Sequence, residues 1–231
     1  MKARTKNLLA VNSDAKTIKG SKHNVLTGIM YLAPHTLAGP NICPMAEAAG
    51  CVDGCLNTAG RGAMTFVQQR RIAKTNWYHE DSTSFLDTLR RNIRSLVRRA
   101  DRIGAVPMVR LNGTSDIMWE RKHPEILDEF SDVQFYDYTK IPVRRDLPKN
   151  YHLTWSYSGV PGYAKHLDTA RANGMNVAVV FRKELPDSFL GLPVVNGDDS
   201  DVRPYDPDGV VVGLTAKGRA KQDTSGFVVD L

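Results

Sequence analysis

The chain has 231 residues, 42% hydrophobic and 24% charged, enough to bury the core of one α/β domain and ordinary for a globular protein. Its apolar runs, such as Met175 to Phe181, fall far short of the ~20 residues that span a bilayer. The basic segment Met1 to Asp14 lacks the apolar core and cleavage site of a signal peptide, so no membrane partner is expected and the cytoplasm is the expected compartment. The net charge of +6 favours polyanionic partners by long-range attraction to phosphate.

Residues 1–22 are polar and basic and predict an irregular N-terminal arm, followed by a single domain over 23–231. Asn24 to Ala33 reads as a first buried strand, broken by Pro34, Gly39 and Pro40. Pro40 to Gly62 is a loop that holds all the cysteines. A helix starts near Ala63, with Phe66, Val67 and Ile72 on one face. A second helix is capped within Asp81–Thr83 and carries Phe85, Leu86, Leu89, Ile93, Leu96 and Val97 at helical spacing. Gly104 is its expected stop.

On that second helix Arg90, Arg91, Arg94, Arg98, Arg99 and Arg102 fall three and four residues apart and form a stripe. It reads either as a solvated face or as a patch for nucleic acid or a nucleotide, centred on Arg90, Arg94 and Arg98.

Strands and short helices then alternate. Strands are expected at Val106–Leu111, Val133–Tyr138, Tyr151–Ser156, Asn176–Phe181, Pro193–Val195 and Val210–Thr215, with a last one at Phe227–Asp230. Helical pieces are expected at Pro124–Glu129, Pro142–Leu147 and Tyr163–Asn173. Short apolar strands between helices predict parallel strands buried on both faces. The fold class is α/β: a single-domain full or partial barrel with the cysteine loop after its first strand, with a doubly wound sheet as the alternative.

Cys43, Cys51 and Cys55 are the only cysteines, with seven and then three residues between them. An odd number in a protein not marked for export argues against a disulfide. Zinc needs a fourth ligand, for which His35 or His23 stands just upstream, and its sites usually come as two short cysteine pairs, of which only one is present. Three thiolates on a four-iron cluster leave one iron open for a substrate or cofactor. Inert thiols are the remaining alternative. Gly50, Gly54, Gly60 and Gly62 allow close backbone approach to a bulky group, and Arg61 is placed to pair with an anion or to set charge beside it.

The run Cys43-Pro44 … Gly50-Cys51 … Gly54-Cys55-Leu56-Asn57, after a first strand and before a helix, resembles the cluster loop of the radical S-adenosylmethionine (SAM) enzymes. More narrowly, it is similar to phage-encoded proteins related to that superfamily, which would place it in a host cytoplasm. The resemblance implies that Cys43, Cys51 and Cys55 ligate a [4Fe-4S] cluster whose open iron chelates SAM. It also implies an electron donor, whose electron cleaves SAM to a 5′-deoxyadenosyl radical. Asn112, Gly113, Thr114, Ser115 and Asp116 stand where that family binds the SAM amino group. The family spacing is three then two residues, and its Gly-Gly-Glu turn is here Gly-Thr-Ser-Asp. Cluster binding is therefore better supported than SAM cleavage.

Polar residues recur where strands finish: Asp137 to Lys140, Ser156 to Ser158, Arg182 and Lys183, Asn196 with Asp198 and Asp199, then Thr215 and Lys217. A barrel gathers them on one rim, where Ser156 and Lys140 join the cofactor-side candidates. Trp77, Tyr78, Trp119, Tyr136, Trp155 and Tyr157 are either core or stacking surfaces for a base. Three functions follow. One is a radical SAM-type enzyme acting on a nucleotide or nucleic acid. The others are a zinc-dependent barrel enzyme of the base-exchange type and a non-catalytic nucleic-acid-binding protein with a structural metal.

Overall fold

A computed structural model of the chain describes residues 5–11 and 23–231. Nine strands form one mixed sheet: β1 (Leu9–Val11), β2 (Val25–Met30), β3 (Val106–Arg110), β4 (Gln134–Thr139), β5 (Tyr151–Ser156), β6 (Asn176–Phe181), β7 (Ser188–Phe189), β8 (Leu192–Asn196) and β9 (Val211–Thr215). Their order is β1-β2-β3-β4-β5-β6-β9-β8-β7. Every pair from β2 to β8 is parallel, whereas β1 on β2 and β7 on β8 are antiparallel. The sheet is not closed, and β1 and β7 are its edges. The expectation of parallel strands throughout is corrected at both edges.

From β2 to β6 each strand lies beside the next in sequence. Right-handed crossovers then put successive connections on the same face, the winding from which barrels are made. The main connection is α1 (Thr65–Glu80) followed by α2 (Ser82–Arg102). The Asp81 carboxylate caps α2 by accepting the Ser84 N–H, and Gly104 ends it at φ +64°. Leu89, Ile93 and Leu96 of α2 join Leu26, Met30 and Val109 of the sheet in the main core. Gly28 lets them close: a Cβ there would lie 3.1 Å from Leu9 and from Leu96. Four short helices follow among the described residues: α3 (Trp119–Lys122), α4 (Pro124–Glu129), α5 (Pro161–Ala164) and α6 (Leu167–Ala172). No described helix is long and apolar enough to cross a membrane.

Several expectations need correction. The lead-in contributes β1, whose Ala10 pairs with Ile29, so it is not wholly an irregular arm; its residues 1–4 and 12–22 lie outside the described ones. On α1 the buried residues are Arg71, Thr75, Trp77 and Tyr78, while Phe66 is 55% exposed. Polar partners turn that face inward: Arg71 donates to Asn57 and Thr75 accepts the Ala33 N–H. The segment 142–147 is not helical, because Arg144 is drawn into the interior and Asp146 takes φ +57°. The helix expected over 163–173 breaks into α5 and α6; Tyr163 is pinned by its hydroxyl to the carbonyls of Lys140 and Ser156. The last expected strand is reduced to a single bridge between Phe181 and Val229.

Candidate metal centre

The cysteine loop leaves the C-terminal end of β2 and crosses the C-terminal ends of the parallel strands. Ser158, past β5, donates to the Ala49 carbonyl at 2.8 Å. Ser225, in the C-terminal segment, donates to the Gly50 carbonyl at 2.9 Å. Gly50 takes φ +64°, and a Cβ on it would meet the Ser225 hydroxyl at 2.6 Å, so only glycine allows that contact. Phe227 covers Gly54 and packs with Cys51.

All three cysteines are free thiols and half-buried. Burial pushes the Cys43 thiol up to about 12, against a stabilising hydrogen bond from the His35 backbone, with Asp116, Cys55 and Cys51 adding repulsion. Burial also raises Cys51, opposed by the positive charge of Lys140. It raises Cys55, opposed by the Asn57 N–H that donates to its sulfur at 3.5 Å. The three thiols thus act on one another, yet among the described residues no three His, Cys, Asp or Glu side chains are arranged to hold a metal ion. His35 is engaged with Glu47, at 3.0 Å.

The turn after β3 is stitched to this loop. Asp116 donates its N–H to the Ile42 carbonyl at 2.9 Å, and the Cys43 thiol lies 3.8 Å from the Thr114 carbonyl. Thr114 Oγ1 donates to the Leu32 carbonyl at 2.6 Å. Gly113 donates to the Met30 carbonyl, and a Cβ there would come within 2.7 Å of that oxygen and of the Tyr31 ring. Asn112 is a bracket within the turn: its Oδ1 accepts from Ser115 Oγ, the Ile117 N–H and Trp119 Nε1. The Asn112 and Ser115 side chains therefore build the turn, and the Thr114 carbonyl faces Cys43.

Asp116 is buried, and its carboxylate accepts from Thr139 Oγ1 at 2.8 Å and the Lys140 N–H at 2.7 Å. Burial raises its pKa, and the Arg144 guanidinium 3.6 Å away opposes the rise. Lys140 donates from Nζ to the Ser156 and Tyr157 carbonyls, both at 3.0 Å, and lies 4.5 Å from the Phe227 ring centre. Burial lowers its pKa to about 8, opposed by Cys51, Asp116 and Cys55. Ser156 joins the site through its carbonyl. Arg61 stands in a short 3-10 turn, Gly60–Ala63, exposed to solvent.

The sequence marked none of the buried arginines, two of which stand beside the site. Arg71 donates to Asn57 beside Cys55 and lies over the Tyr31 ring, 4.9 Å from its centre. Arg144 grips Glu120 through two bonds of 2.7 Å and donates to Thr139 at 3.0 Å. Deeper, Arg110 pairs with Asp201 at 2.6 Å. Asp198 pairs with Lys217 and Thr215, so these polar residues, expected where strands finish, are closed on one another. Of the arginine stripe, Arg90 and Arg94 are both bound to Glu129 of α4.

The protein is thus an α/β protein with an open, mostly parallel sheet and a three-thiol loop at the C-terminal ends of its strands. The Gene product 88 family model matches residues 4–231, and the chain belongs to that phage-type family. No radical SAM family model matches, and the chain matches no curated protein and no solved structure.

Proposed function

We propose that the protein binds a [4Fe-4S] cluster through Cys43, Cys51 and Cys55 and, as its resemblance to radical SAM enzymes implies, presents the open iron to SAM. The observation that carries this reading is the contact between the Cys43 thiol and the Thr114 carbonyl, which joins the three-thiol loop to the turn after β3. The donor set suits the group: three soft sulfur ligands and no paired fourth. No three His, Cys, Asp or Glu side chains among the described residues are arranged to hold a metal ion, so the cluster and the zinc alternative alike need the loop's sulfurs to draw together on loading. Burial holds the thiols up, and a cationic centre relieves that cost by binding them as thiolates. A bound cluster supplies one-electron chemistry and an open coordination site. Around it the chain orients the sulfurs through the His35 and Asn57 N–H groups. The Thr114 carbonyl, beside Cys43, is the group that would accept from the SAM ammonium.

A nucleotide or nucleic acid remains the proposed substrate class on net charge alone, since Glu129 engages two members of the arginine stripe. Purification without oxygen tests the metal. The expected result is brown protein with a broad band near ~400 nm and matched iron and sulfide. Colourless, zinc-loaded protein sinks the reading in favour of the zinc alternative. With SAM and dithionite the loaded protein should release 5′-deoxyadenosine; intact SAM leaves a cluster protein without radical chemistry.

A further inference from the structure

Among the described residues no carboxylate touches the Lys140 ammonium. Lys140 directly follows β4, and three bonds fix its backbone. Its N–H donates to the Asp116 carboxylate at 2.7 Å, and its carbonyl accepts the Tyr163 hydroxyl at 2.7 Å and Trp155 Nε1 at 3.3 Å. The side chain then reaches the end of β5, where Nζ donates to the Ser156 and Tyr157 carbonyls, both at 3.0 Å. Two rings lie against it, with their centres 4.5 Å from Nζ at Phe227 and 5.4 Å at Tyr163. Carbonyls and rings offer partial charge, not a counter-ion.

Burial penalises the charged ammonium, and a charge so placed is normally matched by an anion. Asp116 is one nearby acid, but its carboxylate already faces Arg144 at 3.6 Å and accepts from Thr139 at 2.8 Å. The cysteines are the other acidic groups in reach. Phe227, the ring closest to Nζ, belongs to the apolar cluster against which Cys51 packs, and it covers Gly54 between Cys51 and Cys55. The charge of Cys51 is the strongest support for the ionised ammonium, ahead of Asp116 and Cys55, and Lys140 is in turn the strongest support for the Cys51 thiolate. For Cys55, Lys140 ranks behind the Asn57 N–H and Arg71. Cys43 interacts instead with His35, Asp116 and the other two cysteines.

We propose that Lys140 is the fixed counter-ion of the cysteine thiolates and that, through them, it favours the reduced form of the group they bind. Lys140 is a positioning residue that acts through the sulfurs and is not itself a ligand. The redox half of the proposal rests on the cluster reading above; the counter-ion half needs only the thiolates. One-electron reduction adds a negative charge to a group that three thiolates have already made anionic, and it makes or breaks no bond. A cation held beside those sulfurs therefore stabilises the reduced state more than the oxidised one, and net charge around a cluster is one of the levers on its potential. The two carbonyls and the Phe227 ring keep the ammonium from turning out to water.

Three variants separate charge from hydrogen bonding. Lys140→Arg keeps both, Lys140→Gln keeps a donor for the carbonyls without the charge, and Lys140→Met keeps neither. The full chain, loaded without oxygen, is titrated with dithionite as the electron donor, and electron paramagnetic resonance reads the reduced form. Lys140→Gln and Lys140→Met should be about tenfold harder to reduce at equilibrium, a fall of about 59 mV for one electron, while Lys140→Arg stays near wild type. The metal-free chain gives a second readout: iodoacetamide labelling at neutral pH, mapped by peptide mass. Cys51 should label several-fold more slowly in the Gln and Met variants than in wild type, Cys55 should slow less, and Cys43 should not change. If Lys140→Met fails to fold, the Gln and Arg variants decide. One potential in every iron-loaded form keeps the cluster and overturns the proposal. Equal shifts in Lys140→Gln and Lys140→Arg also overturn it, and make Lys140 a staple of the strand ends. A chain that takes up no iron but slows at Cys51 in the Gln variant keeps the counter-ion and removes the cluster; one that labels alike in every form removes both.

Discussion

The rim of the sheet and the polar interior behind it treat charge in opposite ways. In the interior, Arg144 is matched by Glu120 through two bonds, Arg110 by Asp201, and Asp137 by the Leu111 and Asn112 N–H groups and the Tyr151 hydroxyl. At the rim, three thiols are held by single weak contacts from His35 and Asn57 and by the charge of Lys140, and burial penalises their ionised form. A matched buried charge is a structural element whose partner is already in place. A set of half-buried thiols without strong partners is suited to receive something. The comparison predicts that interior variants lose stability and rim variants lose ligand.

The largest effect falls on the rim. Cys51→Ser should reduce bound iron to background, read as iron and sulfide per chain after anaerobic purification, with the melting temperature close to that of the wild type. The same is expected of Cys43→Ser and Cys55→Ser. Unfolding of these variants in place of clean metal loss would move the cysteines into the structural set and break the distinction.

The next effect belongs to the interior. Arg144→Ala leaves the buried Glu120 carboxylate, 1% exposed, without its guanidinium. Breaking such a pair by removing one partner costs about 3–5 kcal/mol. Urea denaturation should show that loss with an unchanged slope. A loss under about 1 kcal/mol would mean that solvent reaches Glu120 and that the pair does not brace the rim.

Legibility in the sequence follows the same division. Tyr151–Ser156 was readable as a strand from its alternation of Tyr151, Leu153 and Trp155 with polar residues, Asn176–Phe181 because it is a short apolar run, and α2 because an apolar stripe from Phe85 to Val97 follows a capping aspartate. The approach of the cysteines to residues 112–116 was readable from topology, since both segments follow neighbouring parallel strands, β2 and β3. The Arg144–Glu120 pair was not. Its members are 24 residues apart, and Arg144 sits where the residues suggested a helical turn. The inward face of α1 was missed for a related reason: Arg71 and Thr75 are buried by hydrogen bonds to distant loops, which outweigh the exposed Phe66 that the apolar pattern favoured. β1 is three residues long, too short for any period to show.

Asp137 sharpens the comparison, because it is an interior carboxyl whose ionisation is contested. Burial pushes it up to about 7, against the pull of Arg110 and of its hydrogen-bond donors. A carboxyl raised above its ordinary value near 3.8 favours the fold when protonated. That contribution is complete below about pH 4 and is lost as pH rises to about 7, because the folded state then holds a proton that the unfolded state has released. The stability of wild type relative to Asp137→Asn should therefore fall across this window, by at most about 1.4 kcal/mol per pH unit, and level off above it. Urea denaturation at a series of pH values reads the difference. A flat profile would show that the N–H donors and Arg110 hold Asp137 ionised throughout, and it would join Arg144 as an ordinary matched charge.

The smallest effect tests a matched charge outside the interior. Glu129 takes Arg90 at 2.8 Å and Arg94 at 2.5 Å, and Asp87 adds a contact to Arg90 at 3.2 Å. On distances alone this network equals the buried pairs. Its side chains, however, are 23% exposed at Arg90, 31% at Glu129 and 55% at Arg94, so water and salt screen them. Glu129→Ala should cost under about 1 kcal/mol, and less at high salt, as exposed ion pairs do. The same change frees two arginines, so it should tighten binding of a single-stranded oligonucleotide at low salt if the stripe is a contact surface. Unchanged binding would leave the stripe as a solvated face that fastens α4 to α2, and net charge as the sole argument for a nucleic-acid partner.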